Sequence, residues 1–139
     1  MRKRGLLTAV LLTAVLMSSG FAQKNSIKDV TPNKHALENL AAGIHSENDG
    51  VRRSAIYLAG YYRITEAEDA LIDQLKSEKN AKTRILISLV LYELGSDKGL
   101  LEVKDLSLND EDAKVRRMAM QIYNEYLVND GTNTAFVTE

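Results

Sequence analysis

The residues of this chain that could do chemistry are two histidines, three groups of carboxylates and a series of arginines. His35 and His45 stand ten residues apart on one expected helix. That is about 15 Å of helical rise, too far for both to hold one metal ion. Neither belongs to a His-Glu-x-x-His arrangement, so both read as surface or helix-end residues. The carboxylates group as Glu66/Glu68/Asp69, Glu102/Asp105 and Asp110/Glu111/Asp112. Most fall in the first turn of an expected helix, where negative charge favours the positive end of the helix dipole. The run Asn109-Asp110-Glu111-Asp112 lacks the turn glycine and the closing glutamate of a calcium loop. The absence of cysteine removes disulfides, thiolate metal sites and thiol nucleophiles. No glycine-rich phosphate loop is present, and Gly95 and Gly99 read as a helix stop and a small-residue turn. The chain is expected to have no catalysis, no cofactor and no metal.

The arginines point to architecture instead. Val51-Arg52-Arg53-Ser54-Ala55, Thr83-Arg84-Ile85-Leu86-Ile87 and Val115-Arg116-Arg117-Met118-Ala119 recur at a step of 32 residues. Leu58, Val90 and Ile122 keep the same register. Self-similarity at such a period marks a stack of repeated supersecondary units. Six helices carry the pattern. The first is expected over 32–44, with Thr31 as cap and Pro32 at its first position. The second opens at Asn48 or Asp49 and buries Val51, Ala55, Leu58 and Tyr62. A capping box over Thr65–Glu68 opens the third, which buries Ala67, Leu71 and Leu75. The fourth runs from Asn80 to Leu94 and stops at Gly95. The fifth starts at Asp97 and carries Leu100, Leu101, Val103 and Leu106, and the sixth covers 110–127. No proline other than Pro32 and no alternating run suggests a strand. The fold class is all-α, three antiparallel helix pairs in an α-α superhelix.

The helical wheels bound the stack. The fourth helix is apolar nearly all round, through Ile85, Leu86, Ile87, Leu89, Val90, Leu91 and Leu94, so it belongs in the middle, buried on every side. Where it has Ile85, Leu89 and Tyr92, the sixth has Arg117, Gln121 and Asn124, the polar flank of a terminal repeat. Tyr57 and Tyr61, beside Arg53, read as packing between pairs, and Tyr62 and Tyr126 as core.

This pattern resembles the HEAT-like repeat family, in particular its short bacterial version, also seen in phycobilin lyases. The matching residues are Asn48-Asp49, Val51-Arg52, Ala55, Leu58 and Gly60 in the first copy. The second has Asn80, Arg84, Ile87, Val90, Leu94 and Gly95, and the third Asp112, Val115-Arg116, Ala119 and Ile122. Thr83 departs from the apolar opener and Ile87 from the small alanine. The resemblance covers residues 34–127. It implies protein binding, with Arg52, Arg84 and Arg116 bracing the preceding turns through Glu47 or Asp49, Glu78, and Asp110 or Asp112. Such partly exposed pairs are expected to contribute about 0–1 kcal/mol each. It also implies a concave surface lined by the third and fifth helices, where Glu66, Asp69, Asp73, Glu102 and Asp105 would form an acidic face for a basic or helical segment. A small-molecule or chromophore-handling protein, like the lyases, is the alternative.

The ends read differently. Arg2-Lys3-Arg4, the uncharged stretch from Gly5 to Met17 and the small residues Ser18–Ala22 have the form of a signal peptide cleaved after Ala22. The apolar run is shorter than the roughly 20 residues of a membrane-spanning helix. Residues 1–22 hold three basic groups and no acidic one, leaving 15 basic against 19 acidic, a formal −4. That charge gives no general attraction to nucleic acid. The organisation expected is a signal peptide (1–22), a flexible leader (23–31), the repeat domain (32–127) and a flexible tail (128–139). The product is a periplasmic or secreted scaffold or adaptor, monomeric, without a membrane span, that binds another protein.

Overall fold

The structure, a computed structural model, describes residues 23–135. The expected signal peptide and its cut after Ala22 lie outside the described residues, as do the last four residues of the expected tail. The described residues form seven α-helices: α1 (Ile27–Val30), α2 (Ala36–Ile44), α3 (Asp49–Tyr61), α4 (Glu68–Ser77), α5 (Ala81–Glu93), α6 (Asp97–Asn109) and α7 (Ala113–Ala135). A 3₁₀ turn over Thr65–Ala67 precedes α4. No strand occurs among the described residues; Asn25 and Ile64 make one isolated bridge.

Side-chain caps set the helix starts in register. Asn48 Oδ1 accepts from the amides of Gly50 and Val51, Asn80 Oδ1 from Lys82 and Thr83, and Asp112 Oδ1 from Lys114 and Val115. Each satisfies donors that a helix N-terminus leaves free. Gly95, at φ +61°, ends α5 in the left-handed conformation its type predicts. One repeat earlier, Arg63 takes the same conformation at φ +52°.

Several boundaries differ from the sequence reading. The segment 23–31, expected to be flexible, holds α1, opened by a capping box between Ser26 and Asp29. The first full helix starts at Ala36 rather than Pro32. Thr31 Oγ1 accepts from the Asn33 amide, and Asn33 Oδ1 from the His35 amide; these side-chain turns compete with helix until Ala36. The capping box at Thr65 is replaced by the 3₁₀ turn, which has no side-chain cap. The last helix continues through the expected flexible tail to Ala135.

The helices make two layers. In one, α3 packs on α5 and α5 on α7; in the other, α2 adjoins α4 and α4 adjoins α6. Across the layers α2 packs on α3, α4 on α5 and α6 on α7. The core between them includes Ile44, Ile56, Leu71, Ile87, Leu91, Leu100, Val103 and Val115, all sealed from solvent. Helix α5 touches α3, α4, α6 and α7, the central place its apolar sequence implied. It is not buried all round, because Leu89 is exposed. The buried face of α3 is Arg52, Ala55, Ile56 and Ala59. Val51, Leu58 and Tyr62, expected in the core, are exposed, because among the described residues no helix lies across from them as α3 lies across from α5.

Candidate functional site

Of the register arginines, Arg52 and Arg84 are buried and Arg116 is half-buried. The Arg52 side chain donates to the Ser46 carbonyl at 2.6 Å and to Asp49, and its Nε lies 2.8 Å from Glu78 Oε2. Arg84 donates to the carbonyls of Glu78 and Lys79. It also holds both oxygens of Asp110, at 2.8 and 2.9 Å. Arg116 donates to the carbonyls of Asp110 and Glu111. Each arginine thus hydrogen-bonds to the turn before its helix. Arg52 and Arg84 also reach a carboxylate 26 residues ahead, on the next repeat's turn. That forward partner was not legible in a reading that looked only at the preceding turn. Glu78 and Asp110 are themselves buried, unlike Asp49, the exposed partner of Arg52 on the preceding turn. Removing one partner of a buried pair costs about 3–5 kcal/mol.

The five carboxylates expected on one acidic face are divided. Glu66 turns away to the N-terminal segment: it accepts from Ser26 Oγ at 2.6 Å and from the Ile27 amide. The Ser26 hydroxyl and that amide hold its carboxyl below the usual glutamate range. Asp69 on α4 meets Lys98 of α6 at 2.6 Å, and Glu102 on α6 meets Lys76 of α4 at 3.1 Å. Asp73 is exposed beside them, and its charge helps raise the Lys98 pKa, after the larger effect of Asp69. Lys76 and Lys98 therefore reach across this face and neutralise part of it. Asp105 binds Asn109 within its own helix. Glu102 and Asp105 do share a polar crevice of about 430 Å³ with Glu111, over Leu75 and Leu106.

The histidines sit at the two ends of α2. His35 Nδ1 is 2.9 Å from Glu38, and His45 Nδ1 is 3.1 Å from the Gln74 amide oxygen. Among the described residues, no cluster of His, Cys, Asp and Glu could hold a metal ion. No described helix is long and apolar enough to cross a membrane. Tyr126 is pushed up to about 12 chiefly by its hydrogen bond to Asp97.

Sequence reasoning missed an apolar concavity at the start of the array. Helices α1, α2 and α3 enclose an apolar groove of about 720 Å³, lined by Ile27, Val30, Leu40, Val51, Leu58 and Tyr62 among others. Beside it stand Tyr57 and Tyr61, expected as packing and found exposed. Tyr57 stacks on Tyr61 at 5.9 Å, and Tyr61 meets Tyr62 edge-on at 4.9 Å. The signal was available: three apolar residues in core register on a helix with no earlier pair.

Stacked antiparallel helix pairs, braced by one arginine per repeat, define a helical-repeat protein. The family model for HEAT repeats matches residues 37–123, more than half of the chain, and the chain belongs to that family. No curated protein matches it, and no solved structure matches it.

Proposed function

We propose that the chain is an exported protein-interaction module, a scaffold or adaptor without catalysis, whose partner offers a basic or helical segment to the α4–α6 face. HEAT repeats generally mediate protein interactions. The observation that carries the choice of face is the crevice lined by Glu102, Asp105 and Glu111 with Leu75 and Leu106, where five carboxylates stand against the two cations Lys76 and Arg84. Excess carboxylates beside apolar side chains suit a lysine or arginine with its aliphatic stem. Asp69 and Asp73 extend the same face along α4. Export rests on the basic, apolar and small-residue order of residues 2–22, and it places the partner in the periplasm or outside the cell. The chain acts as a monomer in this reading.

The test is capture from an envelope fraction with the full chain as bait. Asp73→Lys and Glu102→Lys are expected to weaken capture, and added salt to do the same, with the melting temperature unchanged. Equal capture by the reversed variants would remove this face from consideration. The alternative, a protein that handles a small apolar molecule, is favoured by one observation: the groove at α2 and α3 has the volume of a ligand site. Native mass spectrometry of the purified chain would show a retained molecule if that reading holds.

A further inference from the structure

We propose that the groove between α2 and α3 is a docking site for a single amphipathic α-helix of a partner protein, seated there as α3 is seated on α5. The repeat register identifies the occupant. In the first copy Val51, Leu58 and Tyr62 are 50%, 44% and 40% exposed. Thirty-two residues on, Thr83, Val90 and Leu94 are 1%, 4% and 3% exposed, and in the third copy Val115 and Ile122 are 0% and 6%. The same positions are therefore stacking surface inside the array and bare at its start. Inside the array their cover is the preceding helix of the same layer, α3 over α5 and α5 over α7. At the start the apolar residues are kept, and among the described residues no helix takes the covering place.

The internal joint also states what the occupant must look like. Val90, the counterpart of Leu58, fits against Gly60 of α3; a Cβ at Gly60 would lie 2.8 Å from its Cγ2. The docked helix therefore needs a small residue opposite Leu58, with apolar residues three and four positions before it, as Tyr57 and Ile56 precede Gly60. Helix α1 and Thr31 line one part of the groove, and the tyrosines Tyr57, Tyr61 and Tyr62 flank α3. Tyrosine-rich margins around an apolar centre are typical of surfaces that carry binding energy. The far end of this chain does not supply the helix. Where α3 has Tyr57 and Gly60 toward α5, α7 presents exposed Gln121 and Asn124, next to exposed Arg117, so head-to-tail stacking of copies would bury polar groups without partners. Two concave grooves set face to face leave a void, which disfavours a symmetric pair of copies.

The probe is a lactam-bridged, fluorescein-labelled helical peptide copying Asp49–Tyr62, read by fluorescence anisotropy against the full chain. Saturable binding is expected. Leu58→Asp and Val51→Asp in the protein should each weaken it by at least about tenfold, the effect of losing ~1.4 kcal/mol of apolar contact. A Gly-to-Leu change at the peptide position copying Gly60 should do the same, and a scrambled peptide should not bind. Both protein positions are half open to solvent, and a retained thermal melt separates lost docking from lost folding. Failure to saturate, or equal binding of the scrambled peptide, overturns the proposal. So does a dimer of the chain that Leu58→Asp dissociates, since the groove then belongs to a second copy. Binding that appears only after removal of residues 1–22 assigns the groove to that apolar segment and equally overturns it, as does a retained small molecule that blocks the peptide. The carboxylate variants of α4 and α6 play no part here, so the two surfaces succeed or fail separately.

Discussion

Thr83 carries the one buried hydroxyl without a hydrogen-bond partner among the described residues. Its counterparts in the 32-residue register are Val51 and Val115, and valine has nearly the same shape. An unpaired polar group in the core costs about 1–3 kcal/mol. Thr83→Val is therefore expected to stabilise the fold by ~1 kcal/mol, read as a higher urea midpoint at unchanged slope; a lower midpoint would mean the hydroxyl has a partner. At this scale the sequence was informative about caps and carbonyl braces, because Asn48, Asn80 and Asp112 act within a few residues of themselves. It was silent on the carboxylates of Glu78 and Asp110 as partners of the arginine one repeat back. That choice depends on how repeats stack.

The short helix α1 was the element least visible in sequence, since four residues carry too little periodicity to register. Its position depends on contacts from elsewhere in the chain. Glu66 takes the Ser26 hydroxyl and the Ile27 amide, and Asn25 donates to the Tyr62 carbonyl. Because the Glu66 carboxyl titrates below its ordinary value in the folded chain, its contribution to docking α1 is present above the unfolded pKa. It is lost as pH falls through the lowered one. Protection of the Ile27 amide against hydrogen exchange, relative to the unfolded chain, should therefore fall in acid below the ordinary glutamate range. In Glu66→Ala that protection should already be low at neutral pH and show no such acid step. An acid step that survives in Glu66→Ala would transfer the role to another carboxylate. The longer helices were legible in number, order and polar end, but of the α3 stripe expected in the core only Ala55 is buried. A wheel tells which residues share a face; it does not tell whether anything lies across from that face.

For the molecule as a whole, the arginine ladder contributes more than its surface-like chemistry suggested. Asp110→Ala leaves Arg84 buried beside a missing carboxylate and is expected to cost about 3–5 kcal/mol. Replacing both partners with apolar side chains, Arg84→Met with Asp110→Leu, should recover most of that loss in a thermal or urea melt. If the double variant is as unstable as the single one, the carbonyl bonds of Arg84 hold the turn rather than the ion pair.

Residues 46, 78 and 110 occupy one register position, and each side chain accepts from the backbone amide two residues on. Glu78 and Asp110 bring a carboxylate to the arginine behind them, whereas residue 46 is a serine. The joints inside the array therefore have both an apolar seam and an ionic bolt, and the open joint at its start has the seam alone. A guest there meets no charge that must be stripped of water and matched before it can settle, and none that must be broken before it leaves. Such a joint is suited to rapid exchange of what it holds, while the joints behind it stay shut.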